Sequence, residues 1–275
     1  MKISRVPKRV DGSLQMGRAT KKTLEAVYAR LLKKFGPQQW WPAETKFEVI
    51  VGALLTQNTN WGNVEKALNN LKKNNLLSPQ ALRKISPRDL SAQIKPSGYF
   101  NVKAKRLKNF ISFLFTEYNG SLQKASREDY RTLRQKLLRV NGIGPETADS
   151  ILLYAFDKPV FVVDAYTKRI LTRHNIVNSE DDYHDVQKIF MESLKRDVRI
   201  FNEYHALIVR LGKDFCKPKP LCEQCLLRDF HYSLTNKCGQ CHRALPLKQG
   251  RHTAGDGYLC AECQAIVIAR RAKAR

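Results

Sequence analysis

Three sets of residues in this chain have the types and spacing to do chemistry. The first is Cys238-Gly-Gln-Cys241 with Cys260-Ala-Glu-Cys263, two C-x2-C pairs separated by 18 residues. Each pair puts two thiolates on one tight turn, and two such turns close a tetrahedral site. A segment this short buries little core, so a bound metal would supply its folding energy. The spacing predicts structural zinc with no open coordination position. Disulfides or free thiols are the alternative, and disulfides are rare in cytosolic proteins. The second set is Cys216, Cys222 and Cys225, spaced x5 and x2. Three thiolates need a fourth ligand; His231 either supplies it or is an ordinary histidine. Such a set suits zinc or an iron–sulfur cluster, and sequence does not decide between them.

The third set lies in 137–171. Gly142-Ile143-Gly144 reads as a turn that only glycines allow, and Pro145 starts a helix at its favoured first position. Amides on such a turn point outward and bind a phosphate oxygen, unless the segment is a plain connection between helices. About 20 residues on stands Val162-Val163-Asp164, ahead of a helix carrying Lys168 and Arg169. Asp164 is either a helix N-cap or a working carboxylate. In the second role it can stabilise an oxocarbenium-like sugar or activate water against an N-glycosidic bond.

The elements that must position these residues read as helices. Leu24, Val27, Tyr28, Leu31, Leu32 and Phe35 form one apolar stripe, stopped by Gly36-Pro37. Phe47, Ile50, Val51, Leu54 and Leu55 form another. Asn58-Thr59-Asn60 breaks it before Trp61, Val64, Leu68 and Leu71. A third runs from Leu107 through Phe110, Ile111, Leu114 and Phe115 to Tyr118, ended by Gly120. Further helices are expected near 127–139, 145–156, 165–174, 183–196 and 200–212, with 159–164 extended. The predicted fold is all-α. Composition shifts after Gly212, and all seven cysteines lie from Cys216 to Cys263. The expected layout is a basic arm at 1–22, a helical domain at 23–235 and a zinc ribbon with a basic tail at 236–275.

The charge balance points to a partner. The chain has 275 residues, 49 Lys+Arg and 25 Asp+Glu, a net charge of +24. Its 43% hydrophobic content excludes a disordered chain. No apolar run reaches the roughly 18 residues of a membrane span, and the start lacks a signal peptide's apolar stretch. A soluble, cytoplasmic, nucleoid-associated monomer is expected, and nucleic acid is the commonest partner for such an excess.

The hairpin Gly142-Ile143-Gly144-Pro145-Glu146-Thr147-Ala148, followed by Val162-Val163-Asp164, resembles the helix-hairpin-helix base-excision DNA glycosylase superfamily, in its endonuclease III-like branch. The similarity covers roughly 20–231. It includes ALLTQNTNW (53–61), SGYFNVKAKRL (97–107) and the cysteine segment. It implies a two-lobed helical fold, one lobe spanning about 46–157 and the other drawn from both ends. Double-stranded DNA with a damaged or mismatched base would bind across the cleft. It also implies that Asp164 is the catalytic aspartate, that Gly142 and Gly144 bind phosphate, and that Gln57 probes the space left by the flipped base. Lys168 and Arg169 are then expected on the DNA.

Three departures refine this. Glu146 stands where the bifunctional enzymes carry their lysine nucleophile. An amine forms a Schiff base with the sugar and a carboxylate cannot. The chain thus looks like a monofunctional glycosylase using water, with Glu146 either orienting water or substrate or simply favoured by the helix dipole. Glu146 and Gln57-Asn58-Thr59 resemble the endonuclease III-like 3-methyladenine glycosylases, which points to alkylated purines. A bifunctional glycosylase/AP lyase on oxidised pyrimidines, a mismatch glycosylase and a non-catalytic DNA-binding protein are the alternatives. Next, the family's C-x6-C-x2-C-x5-C pattern for [4Fe–4S] is altered in the loop 216–231, with His231 in the last place. Finally, the ribbon is an addition.

A flipped base needs an apolar or aromatic pocket. Trp40, Trp41 and Trp61 are the chain's three tryptophans, and they flank the helix before Gln57. An electron-deficient alkylated purine stacks well on such faces. Phe47 and Tyr99 are further candidates. Lys103, Lys105, Arg106 and Lys108 read as phosphate contacts or as a solvated face.

Overall fold

The computed structural model describes residues 13–174 and 176–228, with four strand segments at 236–237, 244–245, 251–253 and 257–259. The described part is mostly helical. In chain order the helices are α1 (Ser13–Phe35), α2 (Lys46–Leu55), α3 (Trp61–Lys73), α4 (Pro79–Lys84), α5 (Pro87–Gln93), α6 (Phe100–Tyr118) and α7 (Leu122–Arg127). They continue with α8 (Tyr130–Leu138), α9 (Pro145–Ser150), α10 (Ala165–Arg173), α11 (Tyr183–Ser193) and α12 (Val198–Asp214). No described helix is long and apolar enough to cross a membrane.

The chain divides into two compact units. One comprises 37–164 and 183–207 and contains α2 to α9 and α11. At its centre, α2 is buried at every position except Lys46, as a helix apolar on all sides must be. Leu71, Leu82, Leu90, Leu107, Leu114 and Leu133 complete this core, each fully buried. Short polar residues start its helices. Thr45 accepts from Glu48 N, Asn60 from Asn63 N and Asp129 from Thr132 N, each relieving a first-turn amide.

Three local readings need correction. Helices α4 and α5 occupy a stretch where the apolar pattern indicated nothing. Each begins Ser-Pro, with the serine hydroxyl as cap and proline in the first turn. The helix expected near 127–139 is α8, Tyr130–Leu138, capped by Asp129, and the short α7 ahead of it was not expected. The one expected over 145–156 is α9 followed by a single π-helical turn, Ile151–Ala155. A buried aspartate locks this part. Asp149 of α9 is fully buried and accepts from Arg134 Nε at 2.6 Å and Nη2 at 2.9 Å. Tyr183 Oη donates to it at 2.8 Å and Gln187 Nε2 at 2.7 Å. Gln187 also donates to Phe161 O at 2.6 Å. One carboxylate therefore joins α8, α9 and α11, and Gln187 ties in the extended segment that leads to Asp164.

The other unit comprises 1–36, 165–182 and 208–275. Leu24, Val27 and Leu31 of α1, and Ile170 and Leu171 of α10, are buried in it. Two arginines of α10 pin the cysteine loop. Arg169 donates to Cys216 O at 2.8 Å and Gly212 O at 3.2 Å. Arg173 donates to Lys217 O at 2.6 Å, Pro218 O at 3.0 Å and Cys216 Sγ at 3.2 Å. Further along, β1 (Asn236–Lys237) pairs antiparallel with β2 (Ala244–Leu245), and β3 (Arg251–Thr253) with β4 (Gly257–Leu259). Cys238, Cys241, Cys260, Cys263 and His231 lie outside the described residues.

Candidate active site

The hairpin is built by α8, a short turn and α9. Val140 N donates to Leu137 O and Ile143 N to Val140 O, both at 3.0 Å. Ile143 is buried and anchors the turn. The two glycines serve different ends. Gly142 has φ +96, and a Cβ there would lie 2.3 Å from Arg106 Cγ. Both backbone and packing therefore demand glycine. Gly144 has ordinary extended backbone, φ −90 and ψ 178, so the turn does not require glycine there. A Cβ on Gly144 would meet nothing within 4 Å. What its glycine supplies is bare, exposed backbone at the start of α9, where an anion can approach closely.

Gln57 follows α2 and is already engaged. Its Nε2 donates to Gly142 O at 3.1 Å and Thr147 Oγ1 at 2.9 Å, and its Oε1 accepts from Arg106 Nη1. The side chain expected to probe the DNA thus braces the hairpin in this state. Three of the four basic residues near 103–108, Lys103, Arg106 and Lys108, are also committed inward. Lys103 is buried, and its Nζ donates to Leu55 O at 2.8 Å and Ser97 O at 2.7 Å. Burial, with Arg106 nearby, pulls its pKa down to about 8. Lys108 Nζ donates to Leu82 O, Arg83 O and Ile85 O, capping the carbonyl end of α4. Of these four residues only Lys105 is exposed. Tyr99, a pocket candidate from sequence, is 70% exposed.

The acidic residues are arranged differently. Glu146 sits in the first turn of α9, where the helix dipole would lower a carboxyl pKa. Instead burial, and then the charge of Asp164, push it up to about 7. By accessible surface Glu146 is nevertheless an exposed residue, so protein crowds its carboxyl on one side while water reaches it on the other. Asp164 closes the extended segment, with 13% of its side chain exposed. His205 Nε2 stands 3.7 Å from Asp164 Oδ2, and His205 Nδ1 bonds to Tyr154 Oη. Burial lowers the His205 pKa, against a smaller opposing effect from Asp164. The Tyr154 pKa is raised well above its ordinary value by burial, then by Asp164, with a smaller upward contribution from Glu146.

Tryptophan faces adjoin this group. Trp41 lies 5.1 Å from the Tyr154 ring and 5.3 Å from Trp61, edge-on. Trp40 lies 5.3 Å from Trp41 and 6.1 Å from Trp61. All three are half-buried. Trp41 packs over Gly52 of α2, its Nε1 3.3 Å from where a Cβ would stand. Phe47, another sequence candidate, is a core residue. Tyr154, His205 and Asp149 were not found from sequence, and Arg106 was read there as a phosphate contact or solvated residue rather than as a brace for Gln57. The available signals were polar residues inside otherwise apolar runs, at 151–156 and 204–209.

Lys168 and Arg169 lie in the other unit. Arg169 is occupied by the cysteine loop and by the Tyr166 ring, 5.0 Å away. Cys216 is buried, Cys222 exposed and Cys225 half-buried, all three as free thiols. Burial raises the Cys225 thiol, and its two neighbouring cysteines raise it further. These sulfurs are soft donors of the kind that zinc and iron–sulfur clusters take. Yet no trio of His, Cys, Asp or Glu among the described residues is placed to hold a metal ion. The described part of the loop therefore does not make a complete site.

The helix-hairpin-helix GPD (HhH-GPD) superfamily of base excision DNA repair proteins matches residues 51–196. A DNA repair glycosylase of Methanocaldococcus jannaschii, so named, is 48% identical over 205 residues, covering 74% of this chain and 93% of that protein. Endonuclease III of Thermotoga maritima is 32% identical over 187 residues, covering 66% and 81%. The crystal structure of H. pylori 3-methyladenine DNA glycosylase bound to 1,N6-ethenoadenine superposes with a TM-score of 0.62 at 30% identity, covering 70% of this chain and 97% of that one. A trapped endonuclease III–DNA intermediate shares the fold, with a TM-score of 0.65 at 21% identity over 76% and 94%. The hairpin, the aspartate that follows it and these likenesses place the chain in the HhH-GPD superfamily of base excision DNA repair proteins, in its endonuclease III-like branch.

Proposed function

We propose that this protein is a monofunctional DNA glycosylase that hydrolyses the N-glycosidic bond of a flipped, alkylated purine. The observation that carries the reading is the pairing of Glu146, pushed up to about 7, with Asp164 beside a wall of aromatic rings. Asp164 is the carboxylate that stabilises the oxocarbenium-like sugar as the bond to the base breaks. The bonding electrons leave with the base, and an alkylated purine, cationic beforehand, departs neutral. Water adds to the sugar carbon, and Glu146 takes its proton. A base whose pKa lies near the working pH suits that step. Trp40, Trp41 and Trp61 supply faces for the cationic base. The likeness to a 3-methyladenine glycosylase bound to an alkylated adenine supports this substrate class.

Gly142 and Gly144 carry the phosphate contact, Gln57 follows the flipped base once released from the hairpin, and half-buried Lys168 joins the DNA contacts. Glu146 stands in the lysine's place. Lys103 has a lowered pKa, but its Nζ is buried against two carbonyls. Borohydride trapping on DNA with an abasic site tests the reaction class. No covalent adduct is expected; a strong adduct would show a lyase.

The C-terminal cysteines Cys238, Cys241, Cys260 and Cys263 fit a zinc ribbon. The first pair falls between β1 and β2, and β4 runs directly up to Cys260. Metal analysis should find about one zinc per chain for such a four-thiolate site. A [4Fe–4S] cluster at Cys216, Cys222 and Cys225 could take His231 as its fourth ligand, and visible absorbance of the purified protein decides whether the cluster is present.

A further inference from the structure

His205 belongs to no step described so far. It is 5% exposed, and its ring is held by the edge of Phe161 and by Tyr154. Two tautomers are available to a neutral imidazole. With the proton on Nδ1, the ring would donate to Tyr154 and turn a bare Nε2 lone pair toward Asp164 Oδ2, 3.7 Å away. A lone pair facing a carboxylate is repulsive. With the proton on Nε2, Tyr154 Oη–H donates to Nδ1 and the Nε2–H dipole faces the carboxylate, which is attractive at both ends. Among the described residues Nε2 has no hydrogen-bond partner, and a buried donor left unsatisfied is costly. Asp164 Oδ2 is the acceptor in reach. A shift of less than about 1 Å brings the pair to bonding distance, and catalytic hydrogen bonds are commonly long before substrate binds.

We infer that His205, set as the Nε2–H tautomer by Tyr154, is a positioning residue that orients Asp164 for the glycosylase reaction. The same tyrosine touches Trp41, so an occupant of the tryptophan wall and the orientation of the carboxylate share one side chain. The inference rests on the reading of Asp164 as the essential carboxylate, but its first test does not.

That test is 15N NMR of the imidazole rings in the full chain, with the His205 signal identified among the six histidines by its loss in His205→Gln. A neutral Nε2–H ring is expected, and an Nδ1–H ring overturns the inference. The second test uses Tyr154→Phe, which removes only the hydroxyl and keeps the packing. On duplex DNA treated with a methylating agent, single-turnover base release should fall by about tenfold, the size of one positioning hydrogen bond. Affinity for the duplex should hold within about twofold, since no DNA contact is removed. His205→Gln, which keeps an amide donor, should retain more activity than His205→Leu at equal thermal stability. A wild-type rate in Tyr154→Phe beside an inactive Asp164→Asn overturns the inference alone. Wild-type rates in both variants overturn the functional reading beneath it.

Discussion

Two groups of charge within 37–164 are built in opposite ways. On α6, Lys103, Arg106 and Lys108 look in sequence like a cationic patch for phosphate. Each ends inside the protein, on Leu55 O, on Gln57 Oε1 and on the carbonyls that finish α4. Glu146 and Asp164 look like two residues favoured at helix starts. They stand close enough for the charge of Asp164 to help push Glu146 up to about 7. The difference teaches that a charge's use follows from what its far end meets. Basic residues that meet carbonyls hold the scaffold, while acidic residues that meet each other carry the proposed reactivity. The net charge of +24 therefore overstates how much cation is available to grip DNA.

The sharpest way to break this contrast is Glu146→Gln. Base release should fall by about 100-fold, as for loss of a general base, and the rate's rise through about pH 7 should vanish. Stability should move the other way. The folded state holds the Glu146 proton more tightly than the unfolded chain, whose ordinary value is 4.5. Stability from this group is thus full below that value and lost as pH rises toward 7. Glu146→Gln should abolish that loss, which urea titrations at pH 5 and pH 8 would show. A rate indifferent to the substitution would return Glu146 to the helix dipole.

Lys103→Met comes next. It leaves two buried carbonyls without donors and should cost about 2–3 kcal/mol of folding stability. The salt dependence of DNA binding should keep its slope, because no phosphate contact is lost. A shallower slope would show that Lys103 reaches the DNA.

Gly142→Ala and Gly144→Ala separate the two hairpin glycines. At Gly142 the positive φ and the crowding against Arg106 should cost about 1–2 kcal/mol. Gly144→Ala should leave stability within about 0.5 kcal/mol and weaken duplex binding, since its methyl group covers exposed backbone. Equal destabilisation by both would undo the distinction. The smallest effect is expected from Lys108→Met, about 1 kcal/mol for one capping cation on the short α4, read by thermal melting.

Much of the candidate site could be proposed from sequence because its signals are local. A glycine turn ahead of a proline, an aspartate closing an apolar run and a glutamate in place of a lysine need no long-range information. The long apolar stripes of α2, α3 and α6 were legible for the same reason, since helical burial repeats along the chain. The destinations of long side chains were not legible. Lys103 reaches Leu55 across 48 positions and Gln57 reaches Thr147 across 90, and no periodicity encodes such a pairing. The short helices α4 and α5 were missed because each carries too few apolar positions to repeat. Asp149 and His205 were overlooked because a polar residue in a buried run reveals its partners only once the chain is folded.

The central claim is that the carboxylate of Asp164 drives the chemistry. The direct measurement is single-turnover release of methylated purine from duplex DNA by wild type and Asp164→Asn, at matched stability and with duplex affinity recorded for each. The account predicts a loss of about 100-fold or more in rate with affinity nearly unchanged. Base release by Asp164→Asn at the wild-type rate would contradict it.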